Sequence, residues 1–307
     1  MLLSDRDGVI WLDGKMVPWR EANVHVTSHT LHYGMGVFEG IRAYKTDKGT
    51  AVFRLKEHTD RLFDSAKIMN LVIPFDRETI SRACLACVKE NKMEAAYLRP
   101  VVFLGSESLS VHSFDLSVRV AIMALKWGAY CGPEALTKGI AVRTSSHTRY
   151  HANTTFGKAK AVGNYINSFL ALREAKEYGA EEALLLDTEG CVAEGSGENI
   201  FVVHNDEIYT PDTSSALEGI TRDTIMTLAT EEGFKVHERR LTREDIYTAN
   251  EAFFTGTASE VTAIRELDKR VIGSGKMGPI TAQLQKVFFE QTQDRRKAHP
   301  DWLTYVK

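Results

Sequence analysis

The chain has little of several things that would fix its class at once. Four cysteines in 307 residues are too few for a disulfide scaffold and suit a reducing compartment. Two of them, Cys84 and Cys87, form a Cys-x-x-Cys within a helical stretch. No second pair follows to complete a ligand set, so no metal is expected there. No run approaches the ~18 apolar residues of a membrane span. The first seventeen residues carry Asp5, Arg6, Asp7 and Asp13 where a signal peptide would be apolar, so a cytoplasmic protein is expected. A formal net charge of -3, with no basic run, gives no general attraction to nucleic acid or to an anionic membrane. Neither an internal repeat nor a low-complexity tract is present. What remains is an ordinary globular composition, 43% hydrophobic and 26% charged, in a length that favours two compact domains. Small-molecule chemistry is the starting expectation.

Residues 8–18 alternate around Asp13-Gly14, which predicts a hairpin. Leu55, Leu62, Ala66 and Met69 recur at helical spacing and predict a helix over 54–69, with another over 77–91. A strand over 96–103 puts Tyr97 and Arg99 on one face and Leu98 on the other; another is expected over 118–125. Glycine and proline then punctuate the chain until the hydrophobic pattern restarts at Ile140. This predicts a smaller domain over 1–127, a connection over 128–138 and a larger domain over 139–307. Trp127 and Tyr130 fall on the connecting loop, where a closing segment would exclude water. In the larger domain a strand is expected over 139–145, followed by a helix after Asn164 that ends near Gly179. That helix carries Ile166, Phe169 and Leu170 on one face, opposite Arg173, Glu174 and Glu177. Short strands over 182–186, 191–194, 198–203 and 207–210 follow, then a helix to 232, a strand at 252–254 and a last helix over 281–292.

Gly34, Gly36 and Gly40 have the wrong spacing for a dinucleotide loop. His25, His29 and His32 lack a carboxylate to complete a metal site. The more telling residue is Lys160, set among Ala159, Ala161 and Gly163, where a flat ring can approach the backbone. A lysine amine attacks a carbonyl only when unprotonated, which at neutral pH asks for sheltered surroundings. Lys158 stands two residues away, and chemistry alone does not choose between the two amines. Glu194, beside Ala193, Gly195, Ser196 and Gly197, has a comparably open setting, with Glu198 as its rival for an anionic role. Tyr97 with Arg99 suits an anionic substrate group. Gly219, just before a helix, suits a phosphate.

The stretch Ala159-Lys160-Ala161-Val162-Gly163-Asn164-Tyr165, with Glu194-Gly195-Ser196-Gly197-Glu198-Asn199 after it, resembles the fold-type IV pyridoxal phosphate enzymes. Phe38-Glu39-Gly40-Ile41-Arg42 and Tyr97-Leu98-Arg99-Pro100 are most similar to the branched-chain amino acid aminotransferases. The resemblance implies a two-domain α+β fold, with a smaller N-terminal α/β domain and a C-terminal domain built on a strand-rich, barrel-like core. It implies reversible amino transfer between leucine, isoleucine or valine and 2-oxoglutarate. Lys160 would hold pyridoxal 5'-phosphate covalently and carry the proton, Tyr165 would meet the ring's phenolic oxygen, and Glu194 the ring nitrogen, with Asn199 nearby. Arg61, Ile220, Thr221 and Thr257 would hold the phosphate, and Leu217 would lie over the ring. Glu218 stands where relatives often carry proline or aspartate. Phe38, Gly40, Tyr97, Arg99, Trp127, Tyr130, Thr257 and Ala258 would line the substrate pocket, and Tyr33 would reach that of a partner subunit. The implied partners are amino acids and 2-oxo acids, with no nucleic acid, membrane or metal. A homodimer would be the smallest active unit, with a homohexamer open to it. D-amino acid transaminase and aminodeoxychorismate lyase are the alternatives within the fold type.

Overall fold

The computed structural model describes residues 2–128, 132 and 134–307. The fold is α+β and divides into two compact units. The first comprises Met1–Trp127, Ala159–Asn164 and Thr292–Lys307; the second comprises Gly128–Lys158 and Tyr165–Gln291. The sequence expectation assigned 159–164 and 292–307 to the larger domain.

The first unit is one sheet with helices packed on it. Its hairpin pairs β1 (Val9–Leu12) with β2 (Lys15–Pro18). Asp13 and Gly14 both adopt positive φ, 47° and 94°, the conformation that matches strand twist in a two-residue turn. Next come α1 (His29–Tyr33), β3 (Gly36–Phe38), β4 (Ile41–Thr46) and β5 (Gly49–Phe53). The helices α2 (Leu55–Ile68) and α3 (Arg77–Glu90) follow, then β6 (Ala96–Leu104) and β7 (Val118–Leu125). Asp76 caps α3 by accepting from the Thr79 N–H at 2.7 Å. Leu62, Ala66, Ile80, Cys84 and Val88 of the helices pack on Ile41, Leu98, Val102 and Ile122 of the sheet. Ile10, Trp19, Phe103 and Leu125 form a separate, smaller cluster.

Strand β6 organises this sheet because it changes partner midway. It pairs with β3 at Val101–Phe103 and with β4 at Ala96–Leu98. The break falls at Arg99 and Pro100, where the Glu39 N–H donates to the Pro100 carbonyl at 2.9 Å. Proline has no N–H to return, so the ladder opens there and leaves Glu39 and Gly40 between strands. The segment 159–164 lies along β3: the Phe38 N–H donates to the Lys160 carbonyl at 3.0 Å, and Val37 bridges Ala161. Gly34 ends α1 at φ 70°, and a Cβ there would come within 2.9 Å of the Gly163 Cα. The last strand, Leu303–Tyr305, completes the sheet edge against β5.

The second unit opens with α4 (Ala135–Lys138), inside the stretch expected to be loop, and β8 (Ile140–Thr144). It continues through α5 (Tyr165–Glu177), β9 (Glu182–Leu186), β10 (Val192–Gly195), β11 (Asn199–His204) and β12 (Glu207–Thr210). Then come α6 (Ile220–Glu231), β13 (Val236–Glu238), α7 (Arg243–Tyr247), β14 (Glu251–Gly256), β15 (Glu260–Leu267), β16 (Arg270–Val271) and α8 (Pro279–Thr292). The sheet order is β10-β9-β8-β15-β14-β11-β12-β13, with β16 on β15. Helix α5 packs through its small residues, Ala171 and Ala175 against Ala183 and Leu185. Its large apolar residues point outward instead: Ile166 is 66% and Phe169 67% exposed. Small side chains let the helix approach the sheet closely, and that selects the packed face over side-chain size.

Candidate active site

In the first unit Lys160 is fixed by its backbone before its side chain is considered. Its N–H donates to Ser65 Oγ on α2 at 3.0 Å, while its carbonyl accepts from Phe38. Ala159 and Ala161 on either side are buried. The Lys160 Nζ lies 5.1 Å from the Phe38 ring centroid, a cation–π distance. The rival amine, Lys158 in the second unit, donates to Glu218 Oε1 at 2.5 Å and to Thr213 Oγ1 at 2.9 Å. That pairing holds the Glu218 carboxyl below its usual range, against the opposing effect of burial. Lys158 thus already serves a structural ion pair.

Arg61 leans inward from α2 and commits one edge of its guanidinium to Glu39, Nε to Oε1 at 2.7 Å and Nη2 to Oε2 at 2.9 Å. The His58 ring Nδ1 lies 2.7 Å from Glu39 Oε2. Burial of Glu39 opposes its ionisation, but Arg61 and His58 outweigh it and hold the carboxyl well below the usual range. Burial pushes His58 the other way, below the usual imidazole value; Glu39 only partly offsets this, and Arg61 and Lys160 add to it. Sequence reasoning singled out Arg61 but not Glu39 or His58; His58 lies one helical turn before Arg61, whereas Glu39, two strands earlier, gave no local signal.

Arg99 and Tyr97 do share a face of β6. Arg99 Nη2 donates to the Tyr97 hydroxyl at 3.1 Å, and the guanidinium lies 4.6 Å from the Phe38 centroid and 5.4 Å from that of Tyr97. Trp127 stacks on Tyr97 at 5.0 Å and 28°. One ring, Phe38, is therefore adjacent to both the Lys160 amine and the Arg99 guanidinium. Tyr33 is 48% exposed, and its hydroxyl donates to the Leu109 carbonyl at 2.7 Å. Tyr130 lies outside the described residues.

In the second unit a register shift in β10 between Val192 and Glu194 turns the strand at Glu194. Arg149 Nη2 meets Glu194 Oε1 at 2.9 Å, and Oε2 accepts from the Leu217 N–H at 3.2 Å and from Asn199 Nδ2 at 3.5 Å. Asn199 Nδ2 also donates to the Leu217 carbonyl at 2.9 Å. Arg149, absent from the sequence expectations, reaches further: Nη1 donates to Asn167 Oδ1 at 2.9 Å and Ser168 Oγ at 3.1 Å, and Nη2 to the Gly195 carbonyl at 3.3 Å. Glu198, the rival carboxylate, is pushed well above the usual range by burial and by the nearby charges of Glu182 and Glu194. A group so disfavoured as an anion is a poor partner for a protonated ring nitrogen, whereas Glu194 has a cation against it. Tyr150 is raised to about 12, by burial first and then by Glu194 and Tyr165 against the opposing charge of Arg149.

Helix α6 starts at Ile220 behind Gly219, with no side-chain cap on its first N–H groups. A Cβ on Gly219 would fall 1.9 Å from Asn199 Oδ1, so only glycine lets the loop lie this close. Thr257 and Ala258 lie in the turn between β14 and β15. Beside them the buried Thr255 and Ser259 hydroxyls have no hydrogen-bond partner, and Glu260 holds a left-handed φ of 57°. Uncapped helix N–H groups and unmet hydroxyls suit a phosphate. Within the first unit an amine beside an aromatic face suits an aldehyde, and within the second a charge-compensated carboxylate suits a protonated ring nitrogen. The donor set fits pyridoxal 5'-phosphate. No group of three or more His, Cys, Asp or Glu residues among the described residues is arranged to hold a metal ion.

The family model described as amino-transferase class IV matches residues 36–267. The branched-chain-amino-acid aminotransferase of Pseudomonas aeruginosa is 58% identical over 307 residues, covering 100% of both chains. The crystal structure of the T.th. branched-chain amino acid aminotransferase with pyridoxamine 5'-phosphate superposes with a TM-score of 0.96 at 48% identity, covering 98% of this chain and 99% of that one. The same T.th. enzyme complexed with N-(5'-phosphopyridoxyl)-L-glutamate gives a TM-score of 0.93 at 45% identity, with the same coverage.

Proposed function

The chain belongs to the class IV aminotransferases, and from that premise we propose how its residues carry out amino transfer. It is a pyridoxal phosphate-dependent branched-chain amino acid transaminase, exchanging the amino group between leucine, isoleucine or valine and 2-oxoglutarate. The cofactor, when bound, supplies the carbonyl that receives the amino group and a ring that draws electron density from the substrate Cα. Lys160 would anchor it, and its Nζ would take the proton from the substrate Cα and pass it to the cofactor carbon that gains the amino group, the reverse half-reaction running the other way. Glu194, a carboxylate held in direction by Arg149 and the Leu217 N–H with Asn199 alongside, would serve the ring nitrogen. Tyr165 would orient the ring through its phenolic oxygen, and Leu217 would lie over it. Arg61 in the first unit would be a phosphate ligand, as would the Ile220 and Thr221 N–H groups and the Thr257 hydroxyl in the second. Since Glu39 occupies one edge of the Arg61 guanidinium, that arginine grips an anion only through its remaining edge.

Phe38, Gly40, Tyr97 and Trp127 would form the apolar walls for a branched side chain, a role the resemblance gives Tyr130 as well. Arg99 and the Tyr97 hydroxyl meet the distal carboxylate of 2-oxoglutarate or glutamate, and Thr257 with Ala258 meets the α-carboxylate. The observation that carries this reading is the Phe38 ring, flanked within 5.1 Å by an amine and a guanidinium. It brings a group for the reaction and a group for an acidic side chain to one aromatic surface.

The smallest active unit is a homodimer, with Tyr33 serving the partner's pocket; whether it assembles further into a homohexamer is a question for sedimentation analysis. The exposed Ile166, Phe169 and Leu170 on α5 support a covered face of this kind. The cytoplasm is the compartment, supported by the free thiols of Cys84, Cys87 and Cys191; no helix among the described residues is long and apolar enough to cross a membrane. A steady-state survey of amino donors against 2-oxoglutarate tests the function. Turnover of L-leucine, L-isoleucine and L-valine is expected. A preference for D-amino acids, or pyruvate release from aminodeoxychorismate without an acceptor, would overturn it.

A further inference from the structure

Gly40 is buried between β3 and β4, opposite the point where β6 changes partner, and its N–H donates to Glu39 Oε2 at 3.3 Å. Its φ is not among the positive values that glycine adopts elsewhere in the chain, so the backbone itself would accept any L-residue. What excludes a side chain is the hydroxyl end of one ring. A Cβ on Gly40 would fall 2.0 Å from the Tyr97 hydroxyl oxygen and 2.8 Å from its Cζ.

That hydroxyl has little room to retreat. Tyr97 is buried, its ring is stacked on Trp127, and the Arg99 guanidinium lies against its other neighbour, Phe38. The hydroxyl also accepts from Arg99 Nη2 at 3.1 Å, while the buried Arg99 Nε has no hydrogen-bond partner. A half-buried guanidinium with one side-chain hydroxyl and two aromatic faces is held in place chiefly by those three groups. Moving the hydroxyl removes its one directional restraint.

We propose that Gly40 is a positioning residue for substrate selection: its missing side chain is the seat of the Tyr97 hydroxyl, and through that hydroxyl it aims the Arg99 guanidinium at an acidic side chain. This rests on the dual-substrate reading above and deepens it. A side chain at position 40 tilts Tyr97, frees Arg99 to collapse onto Phe38, and leaves apolar walls that still receive a branched substrate.

The test compares Gly40→Ala, Tyr97→Phe and the double variant in the holoenzyme. Gly40→Ala is expected to lower kcat/KM for 2-oxoglutarate at least about tenfold more than for leucine, the weight of one hydrogen bond to a charged group. Glutarate, an unreactive dicarboxylate titrated by cofactor absorbance, should bind correspondingly more weakly, with 4-methylpentanoate much less affected. Tyr97→Phe should shift the ratio in the same direction, and adding Gly40→Ala to it should change the ratio little further, because the hydroxyl that aims Arg99 is already gone, although the ring Cζ, 2.8 Å from the added Cβ, must still yield. Equal losses for both substrates from Gly40→Ala, or additive shifts in the double variant, would overturn the proposal. Should Gly40→Ala and the double variant both fail to fold, Tyr97→Phe alone decides: weaker glutarate binding with 4-methylpentanoate much less affected supports the seat, and an unchanged ratio counts against it. A wild type that exchanges no amino group between leucine and 2-oxoglutarate refutes the dual-substrate reading instead, and the glutarate titration still decides on the seat.

Discussion

Arg149→Met is the most informative single change, because it removes the cation opposite Glu194 while keeping a long, flexible apolar side chain. Both partners are more than nine-tenths buried, and the pair is 2.9 Å apart. Removing one member of a buried ion pair strands the other charge and typically costs about 3–5 kcal/mol. The lost bonds to Asn167, Ser168 and the Gly195 carbonyl add to this, since buried acceptors left unmet are each penalised by about 1–3 kcal/mol. We therefore expect urea unfolding of the second unit to shift by at least about 3 kcal/mol, with weaker retention of pyridoxal 5'-phosphate. The decisive comparison is Arg149→Met combined with Glu194→Gln, which replaces the stranded carboxylate by a neutral amide. The double variant should recover a large part of the loss, giving a coupling well above the ~0.5 kcal/mol scatter of independent sites. If the two single losses simply add, Arg149 does not act through Glu194, and the electrostatic account of that carboxylate is wrong.

The remaining expectations are narrower. Lys160→Ala should abolish turnover and the cofactor adduct trapped by borohydride, whereas Lys158→Ala, losing its pair with Glu218 and its bond to Thr213, should retain both; the reverse outcome identifies the wrong amine. Arg99→Ala should raise the KM for 2-oxoglutarate far more than that for leucine, and equal changes would remove Arg99 from the reading of acidic substrates. Glu39, with its folded pKa depressed, contributes stability that is fully present above its unfolded value of ~4.3 and is lost as pH falls toward the folded value. His58, depressed by burial, adds destabilisation in the same direction from about pH 6.5 downward. Glu39→Gln should accordingly flatten the acid limb of the urea midpoint between about pH 5 and 3; an unchanged slope would mean that Glu39 is not the titrating group.

Local pattern sufficed for much of the fold. The Asp13-Gly14 turn, the stripe on α2 and the shared face of Tyr97 and Arg99 all follow from spacing within a few residues, and the structure reproduces them. What spacing does not encode is which distant group meets a given side chain. Lys158 and Lys160 read alike in sequence; they part only because Glu218, sixty residues on, takes the first. Glu194 and Glu198 likewise part through Arg149 and Glu182. Helix α5 shows a different limit: its large apolar residues suggested the packed face, but close approach to β9 selected the alanines. The resemblance gave Gly40 a place in the substrate pocket, but no spacing in the sequence pairs it with the Tyr97 hydroxyl that would meet its Cβ.

The first unit draws on three separated stretches of chain, and its outer strand β5 is closed only by Leu303–Tyr305. On a translating ribosome that closing strand follows β5 by about 250 residues. At about 5–20 residues per second, the edge of β5 waits on the order of ten seconds or longer with its backbone groups open, while the whole of the second unit is synthesised in between. The older half of the nascent polypeptide is thus the later to finish, and its bare edge is where a chaperone has most to shield and where misassembly between neighbouring nascent chains would begin.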